Sequence, residues 1–274
     1  MNLWRYSMKV GFAQFNPKFD AIEENLSRVE KLLENVSSDV IVLPEMFATG
    51  YLFPDADYAR KLAEPTGDGQ IFYAMVRWAK KYDCLIVGGF PEIHNQKLYN
   101  SSIAVQPDGK WHLYRKIHLF DREKLIFQPG NIDYEPFEFR GAKLGMLICF
   151  DWIFPESYRV LMLKGTQIIL HPSNLVLPYC QKASFARAVE NRMFIILTNR
   201  TGSEKLDEIT LQFTGGSIIY SPRGEILAKA SENEETVKVV DINPAEADDK
   251  NVTPRNNVMT DRRPEYYRYL IEKK

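Results

Sequence analysis

The stretch GMLICFDWIFPES, residues 145–157, joins an apolar run that ends at Cys149 to a segment, PES at 155–157, that resembles a helix start. A buried strand followed directly by a helix is typical of layered α/β proteins. Free cysteine is among the most buried residue types, so the ordinary interpretation of Cys149 is a packing residue. Asp151 and Trp152 follow at once, however, and a strand-to-helix turn would aim backbone N–H groups toward the sulfur. Cys149 is therefore either a packing residue or a nucleophile at a strand end.

Apolar runs and amphipathic segments alternate on both sides of this stretch. The runs predict strands, most of them interior: KVGFAQF (9–15), VIVLPE (40–45), CLIVGGF (84–90), SSIAVQP (101–107), LGMLICF (144–150), QIILHPS (167–173) and MFIILTN (193–199). The amphipathic segments predict helices: AIEENLSRVEKLLENV, IFYAMVRWAKKY, PESYRVLMLKG and KASFARAVENRM. We predict Asp20 as the N-cap of the first helix and Gly165 as the C-cap of the third. This order predicts an α/β protein that forms one domain over residues 1–274.

The composition argues against several classes of function. Lysine plus arginine number 35 and aspartate plus glutamate 36, so no basic excess indicates nucleic acid or an anionic membrane surface as a partner. No run approaches the roughly 20 apolar residues that a membrane span needs. The first ten residues also lack the apolar core of a secretory leader. We therefore expect a cytoplasmic protein.

The cysteines and histidines predict free thiols and no metal site. Cys84, Cys149 and Cys180 are odd in number and far apart, which suits neither a disulfide framework nor a zinc cage. The four histidines show neither HExxH nor HxH spacing. Metal dependence is not expected.

Three reactive side chains stand at the ends of predicted strands. Glu45 ends VIVLPE, Lys116 ends WHLYRK and Cys149 ends LGMLIC. Ligands of α/β sheets gather beyond the carboxyl ends of the strands, so we expect these side chains to converge on a catalytic centre. Glu45 lies between apolar neighbours, where desolvation would raise its pKa toward that of a useful base.

The residues alone leave open which base deprotonates the thiol, and which thiol reacts. A Cys–His pair would use His118 or His171, whereas a Cys–carboxylate arrangement would use Glu45, and spacing does not choose between them. Cys180 is the rival thiol, because it lies near the predicted start of a helix, where a thiolate is favoured.

Taken together, an ordered set of motifs resembles the nitrilase superfamily of carbon–nitrogen hydrolases over nearly the whole chain. The motifs are VLPEMFATGY (42–51), GGFPE (88–92), LYNSSIAVQPDG (98–109), YRKIHLFDRE (114–123), FQPG (127–130), GMLICFDWIFPES (145–157), HPSNLVLP (171–178) and RAVENRMFIILTNRTG (187–202). HPSNLVLPY and DRRPEYYRY are most similar to a branch that holds small aliphatic nitrilases and omega-amidase-like enzymes. The resemblance implies a four-layer αββα sandwich, usually paired through its helical face.

The resemblance also implies roles for individual residues. Glu45, Lys116 and Cys149 match the family's Glu–Lys–Cys triad, and Glu123 matches a second family glutamate that positions Lys116 and the substrate. The implied reaction is hydrolysis of a small aliphatic amide through a cysteine thioester, with release of ammonia and a carboxylic acid and without a metal or organic cofactor. The Phe150 N–H would stabilise the oxyanion beside Lys116.

The remaining site assignments are less direct. Tyr51 and Asn174 are candidates for lining the substrate pocket. His118 and His171 become structural if the carboxylate is the base, since buried imidazoles usually satisfy backbone groups.

Three alternatives to amide hydrolysis remain. The first keeps the fold but takes a small aliphatic nitrile as substrate. The second is a sandwich without catalysis that acts as a binding partner. The third is a papain-like Cys–His protease, for which loss of His118 would be severe and loss of Glu45 mild.

The C-terminal tail, about residues 250–274, is expected to pack on a partner subunit. Its segment DRRPEYYRYL is rich in arginine and tyrosine, which suits a subunit contact. We predict that Arg262 to Tyr269 packs across a homodimer or a higher homo-oligomer. Whether residues 1–7 are a native extension stays open, because Met8 could begin the first strand.

Overall fold

Strands and helices alternate along residues 7–272, which are the residues that the computed structural model describes. The strands are β1 (Met8–Gln14), β2 (Val40–Val42), β3 (Leu85–His94), β4 (Lys97–Val105), β5 (Trp111–Arg115), β6 (Phe137–Phe139), β7 (Ala142–Met146), β8 (Ile168–Pro172), β9 (Phe194–Thr198), β10 (Ser203–Leu206), β11 (Ile209–Gln212), β12 (Ile218–Tyr220), β13 (Ile226–Lys229), β14 (Thr236–Ile242), β15 (Asn251–Thr253) and β16 (Asn256–Asn257). The α-helices are α1 (Ile22–Leu33), α2 (Ala56–Leu62), α3 (Gln70–Tyr82), α4 (Glu123–Ile126), α5 (Pro155–Leu163) and α6 (Cys180–Asn191). The open question about residues 1–7 concerns, apart from Ser7, residues outside this described part.

Two six-stranded sheets contain most of these strands. The first has the order β14-β1-β2-β3-β4-β5 and the second β13-β12-β9-β8-β7-β6. In each sheet the three strands that pair in parallel, β1 to β3 and β7 to β9, lie inside antiparallel neighbours. Every residue of β2, β8 and β9 is buried, as the continuously apolar runs predicted for interior strands.

The layers follow from where each helix buries its apolar face. Helices α1 and α3 pack on each other and on the first sheet, with Leu33, Ile71 and Trp78 in a shared cluster. Helices α5 and α6 pack on each other and on the second sheet, and one apolar cluster joins Tyr158 of α5 to residues of both sheets. Each such large side chain contributes roughly 1.5–3 kcal/mol by leaving water. The predicted four-layer αββα sandwich is confirmed.

The two predicted helix ends have different outcomes. Gly165 follows α5 with φ +85°, and its N–H donates to the carbonyl of Met162 at 2.9 Å, so the predicted C-terminal cap is confirmed. The predicted N-cap at Asp20 is wrong: the N-cap of α1 is Ala21, whose side chain makes no capping hydrogen bond. The Asp20 carboxylate instead accepts a hydrogen bond from the Tyr58 hydroxyl. This tertiary contact engages the oxygen that would otherwise cap the helix.

The sandwich brings the ends of strands from both sheets to one place. Glu45 lies three residues beyond β2, and Lys116 directly follows β5, so both belong to the first sheet. Cys149 lies three residues beyond β7, in the second sheet. Within residues 7–272, no helix combines the length and the apolar character that crossing a membrane requires.

Candidate active site

Cys149 begins a short 3₁₀ turn, Cys149–Ile153, that connects β7 to α5. Its φ is +38°, in the left-handed region that side chains other than glycine seldom adopt. Two contacts hold the turn. His171 Nε2 lies 3.0 Å from the Cys149 carbonyl oxygen, and the Ile148 N–H donates to Asp151 Oδ2 at 2.9 Å. The strained residue is therefore fixed from both sides, as the position of a reactive group requires.

Lys116 is the centre of a buried ionic cluster. Its Nζ donates to Glu45 Oε1 at 2.8 Å and to Glu123 Oε1 at 2.7 Å, and its side chain has no exposure to solvent. The backbone N–H of Lys116 is held by the carbonyl of Asn100 at 2.8 Å. An ammonium group has three N–H donors, and two carboxylates use two of them. Among the described residues no third acceptor contacts Lys116 Nζ, so one donor is left for a ligand.

Glu45 is completely buried, and its two oxygens differ. Oε1 accepts from Lys116 and from Asn100 Nδ2, the latter at 2.7 Å. Oε2 has no hydrogen-bond partner within the described residues. Burial raises the pKa of Glu45 above its usual value, although the charge of Lys116 opposes this effect. Glu45 therefore combines an unoccupied acceptor atom with increased basicity.

Glu123 is held by Tyr51 as well as by Lys116. The Tyr51 hydroxyl donates to Glu123 Oε1 at 2.6 Å, and the Phe120 N–H donates to Oε2 at 3.0 Å. Burial and the charge of Glu123 raise the pKa of Tyr51 well above its usual value, so the phenol remains a donor. Tyr51 and Glu123 both line a cavity of about 200 Å3. That Tyr51 contacts substrate stays a prediction.

The Cys149 sulfur is a neutral thiol in this setting. Burial and the negative charge of Glu45 raise the pKa of Cys149 well above its usual value, against the opposing effects of Lys116 and the Asn174 N–H. Burial alone would lower the pKa of Lys116, but the charges of Glu123 and Glu45 outweigh it and raise that pKa. The cluster is thus an ammonium between carboxylates beside a protonated sulfur. Such a thiol needs a base at the moment of attack.

A small, mostly apolar cavity of about 10 Å3 opens on Cys149. Its lining consists of Phe120, Cys149, Phe150, Trp152, Asn174, Leu175, Val176 and Leu177. No charged side chain belongs to this lining. Asn174 is 2% exposed, and neither its side-chain oxygen nor its side-chain nitrogen has a partner within the described residues. An unpaired buried amide costs roughly 1–3 kcal/mol, so Asn174 is suited to bind a polar ligand.

The two candidate histidines are engaged away from the sulfur. His118 Nδ1 lies 2.7 Å from Asp151 Oδ1, and a carboxylate can only accept, so Nδ1 donates. His171 contacts the Tyr158 hydroxyl through Nδ1, and burial lowers its pKa to about 4, so it is neutral. Within residues 7–272, neither imidazole is hydrogen-bonded to a cysteine sulfur. The geometry therefore assembles the carboxylate arrangement.

The other two thiols lie outside this site. The Cys180 sulfur is buried at the first residue of α6 and faces Ser184 Oγ at 4.0 Å. Burial raises the pKa of Cys180, and it raises that of Cys84 to about 12. Across the described part of the chain, no three His, Cys, Asp or Glu side chains are grouped so that they could hold a metal ion.

Sequence reasoning missed one residue of the cluster, Asn100. Its amide donates to Glu45 and its carbonyl accepts from Lys116, so it connects the two. Asn100 lies within β4, where alternation alone indicates only a buried polar residue. The motif LYNSSIAVQPDG contains Asn100, and its antiparallel pairing with Pro91 places it beside GGFPE.

Two packed sheets lie between helical layers, and Glu45, Lys116 and Cys149 lie where strands of the two sheets end. A family profile described as carbon-nitrogen hydrolase matches residues 9–250. The chain belongs to this carbon–nitrogen hydrolase family, within the nitrilase superfamily. The resemblance that the motifs indicated and the enzyme class that it implied are both confirmed.

Individual relatives extend over nearly the full chain. The chain is 40% identical over 263 residues to a protein named nitrilase from Pyrococcus abyssi, across 95% of this chain and 99% of that protein. It is 31% identical over 232 residues to an (R)-stereoselective amidase from a Pseudomonas species, across 83% and 82%. The crystal structure of a carbon–nitrogen hydrolase from Helicobacter pylori G27 matches with a TM-score of 0.83 at 24% identity, across 98% and 99% of the two chains. That structural likeness supports the fold.

Proposed function

We propose that the protein hydrolyses the carbon–nitrogen bond of a small aliphatic amide through a thioester on Cys149. The observation that carries the proposal is the Lys116 ammonium, held between Glu45 and Glu123 at 2.8 and 2.7 Å. The charges of these three residues also act on the pKa of the buried Cys149 thiol. An ion pair buried this completely costs several kcal/mol in lost hydration. Groups with strongly perturbed pKa values cluster at functional sites, and the pKa values of Glu45 and Lys116 are both raised.

In the first half of the proposed reaction, Glu45 Oε2 takes the thiol proton while the Cys149 sulfur attacks the amide carbon. The carbonyl electron pair moves to oxygen, and the free N–H of Lys116 and the Phe150 N–H stabilise the resulting charge. One donor of this kind is worth roughly 3–4 kcal/mol in an oxyanion site. The tetrahedral adduct then collapses, the carbon–nitrogen bond breaks, and Glu45 returns the proton to nitrogen. Ammonia leaves and a thioester remains.

In the second half, water replaces ammonia at the same position. Glu45 accepts one water proton as the oxygen attacks the thioester carbon, and Lys116 again stabilises the oxyanion. The carbon–sulfur bond breaks, the proton passes to sulfur, and the carboxylic acid leaves. Glu45 therefore acts twice as base and twice as acid, which its unpaired Oε2 permits.

Glu123, Asn174 and Tyr51 have supporting roles in this proposal. Glu123 fixes the direction of Lys116, since it accepts from Nζ at 2.7 Å. Asn174 offers an unpaired donor and an unpaired acceptor to the substrate. Tyr51 lines the neighbouring cavity, where a longer acyl chain would extend. The residues beside Cys149 that line its small cavity carry no charged side chain, so an uncharged acyl group would meet no charged partner there.

A nitrile is the second candidate substrate, and the 40% identity to a protein named nitrilase favours it. The same sulfur would attack the nitrile carbon, and the negative charge would develop on nitrogen. A binding partner without catalysis is an alternative of another class. The intact cluster of Glu45, Lys116 and Cys149 argues against it, because nothing in simple binding requires a buried base beside a thiol.

Ammonia release from a matched panel tests the proposal. The panel pairs each small aliphatic amide with the nitrile of the same carbon skeleton, and adds succinamate and glutarate monoamide. We expect kcat/KM to be higher for the uncharged amides than for their nitriles. Turnover of nitriles alone would contradict the amide assignment. If no member released ammonia or formed a thioester adduct detectable by mass spectrometry, the binding-partner alternative would gain support.

We also propose that the tail pairs subunits. Tyr266, Tyr269, Leu270 and Ile271 are 62–87% exposed, which leaves a run of apolar side chains in water. The tail also borders a groove of about 460 Å3 together with Arg159 and Glu190. Burial of this surface against a second copy would remove the exposure.

The free state of all three cysteines supports a cytoplasmic location, which cell fractionation tests.

A charge introduced into the tail should weaken the dimer. For Leu270→Lys we expect a shift from dimer to monomer in light scattering coupled to gel filtration, because the lysine would be desolvated at the contact. Tyr73→Lys is the matched control: Tyr73 is 50% exposed on α3, in the opposite helical layer. An unchanged dimer with Leu270→Lys, or a monomeric wild type, would count against the tail as the contact.

A further inference from the structure

Another buried ion pair, Arg200–Glu204, lies outside the cavity at Cys149. Arg200 is completely buried and pairs with Glu204, which is 7% exposed. The same guanidinium donates through Nη2 to Asn16 Oδ1 and to the Pro17 carbonyl, each at 2.7 Å. Well-packed apolar residues often replace such pairs without loss of stability, so burial of two charges is weak evidence for a stabilising role. Its contacts indicate another role.

The Glu204 carboxylate holds the backbone of Tyr51 in place. Glu204 Oε2 accepts from the Tyr51 N–H at 3.0 Å and from the Leu52 N–H at 2.7 Å. The preceding Gly50 has φ +77°, and a Cβ there would lie 2.9 Å from Glu204 Oε1. The turn is therefore shaped so that a carboxylate can approach it closely.

Arg200 supports the Tyr51 side chain as well. Its guanidinium carbon lies 4.1 Å from the centre of the Phe213 ring. The Phe213 ring in turn meets the Tyr51 ring edge-to-face, with centroids 6.2 Å apart and an angle of 84°. One ion pair thus fixes Tyr51 both through its backbone and through its ring.

Tyr51 transmits this position to the ionic cluster. Its hydroxyl and Lys116 Nζ both donate to the same atom, Glu123 Oε1, at 2.6 and 2.7 Å. A displaced hydroxyl would let the carboxylate rotate, and Lys116 would follow. Displacements of about 1 Å at reacting groups can lower rates by roughly 100-fold.

We propose that the Arg200–Glu204 pair is a positioning unit for catalysis, which sets Tyr51 so that Glu123 aims Lys116 at the oxyanion. Neither Arg200 nor Glu204 lines the cavity at Cys149, so both are positioning residues and not catalytic ones. The inference rests on the proposed function, since amide hydrolysis is the rate that it affects.

A double-mutant cycle between Glu204→Gln and Tyr51→Phe tests the proposal. Glu204→Gln keeps the size of the side chain and removes its charge, and we expect it to lower kcat roughly 10- to 100-fold with little change in KM. Tyr51→Phe removes the hydroxyl, so in that background Glu204→Gln should lower kcat no further. Multiplied effects in the double variant, or an unchanged kcat in Glu204→Gln, would overturn the proposal.

Two further variants separate positioning from folding. Glu208→Gln removes an exposed carboxylate from the loop between β10 and β11 and should leave kcat unchanged. Glu204→Asp keeps the buried anion, but its side chain is one methylene too short to reach both N–H groups of the turn. Its kcat should therefore fall when Tyr51 is present and should not fall further when Tyr51→Phe is present. It replaces Glu204→Gln if that variant does not fold, and a wild-type kcat in Glu204→Asp would overturn the proposal.

The double-mutant cycle between Glu204→Gln and Tyr51→Phe can also be measured with a reagent that reacts directly with Cys149, so the substrate need not be known. The rate at which chloroacetamide alkylates Cys149 depends on the same cluster, and we expect the same non-additive pattern in that rate. If the wild type is alkylated in this pattern but hydrolyses no amide, the proposed substrate fails while the positioning unit stands. If hydrolysis occurs and both cycles are multiplicative, the positioning unit alone fails.

Discussion

Replacing Cys149 with alanine should lower kcat for amide hydrolysis by roughly 10⁴-fold or more, as removal of a nucleophile does in enzymes of this kind. No thioester can form without the sulfur, so the covalent adduct should also disappear from mass spectra after mixing with substrate. The melting temperature should stay near that of the wild type, because alanine removes only the sulfur atom, which borders a cavity that already exists.

Cys180→Ala is the matched control for this variant. It removes another fully buried thiol, on α6, that faces Ser184 and not the ionic cluster. We expect normal kcat and a modest loss of stability. Retention of a tenth of the wild-type activity in Cys149→Ala, or its loss in Cys180→Ala, would mean that the wrong sulfur has been assigned.

Glu45→Gln should have the next largest effect, a fall in kcat/KM of roughly 10²- to 10⁴-fold, which is the usual contribution of a general base. The amide keeps the size of the side chain but cannot accept the thiol proton. His118→Ala should be far milder, because His118 Nδ1 is engaged with Asp151. The opposite order of severity is the result that a Cys–His mechanism predicts.

The pH profile gives the same variant a second readout. The base must be deprotonated, so the rate falls as pH drops through the pKa of Glu45. Burial raises that pKa, so the acid limb of kcat/KM should lie at higher pH than an exposed glutamate would give. The pKa values of Cys149 and Lys116 are raised too, so no alkaline limb is expected near neutrality. Glu45→Gln should lose the acid limb, and a wild-type limb at or below the ordinary carboxyl range would contradict this assignment.

Much of the site could be predicted because the end of a buried strand can be recognised in a sequence as the end of an apolar run. The apolar runs before Glu45, Lys116 and Cys149 end at or near these residues. Packing of the two sheets then brings the ends of β2 and β5 close to the end of β7. Hydrophobic patterning also gave the interior strands, since every residue of β8 and β9 is buried. The layered fold follows from the same pattern.

The errors and omissions share a physical cause, which is competition from residues distant in sequence. Asp20 has the composition of an N-cap, but the Tyr58 hydroxyl, 38 positions away, takes its carboxylate. Arg200 contacts Asn16 across 184 positions. Local propensity carries no information on such partners, because they are fixed only when the sheets are packed.

The division of the cluster between two sheets has a consequence for how the chain acquires activity during folding. Glu45 and Lys116 belong to one sheet and Cys149 to the other, so neither half alone holds a competent nucleophile. During refolding from denaturant, backbone order should therefore return before hydrolytic competence, which has to await docking of the halves. A nascent or partly folded chain carries an ordinary thiol without Glu45 and Lys116 beside it, so we expect no amide hydrolysis until the two sheets have packed together.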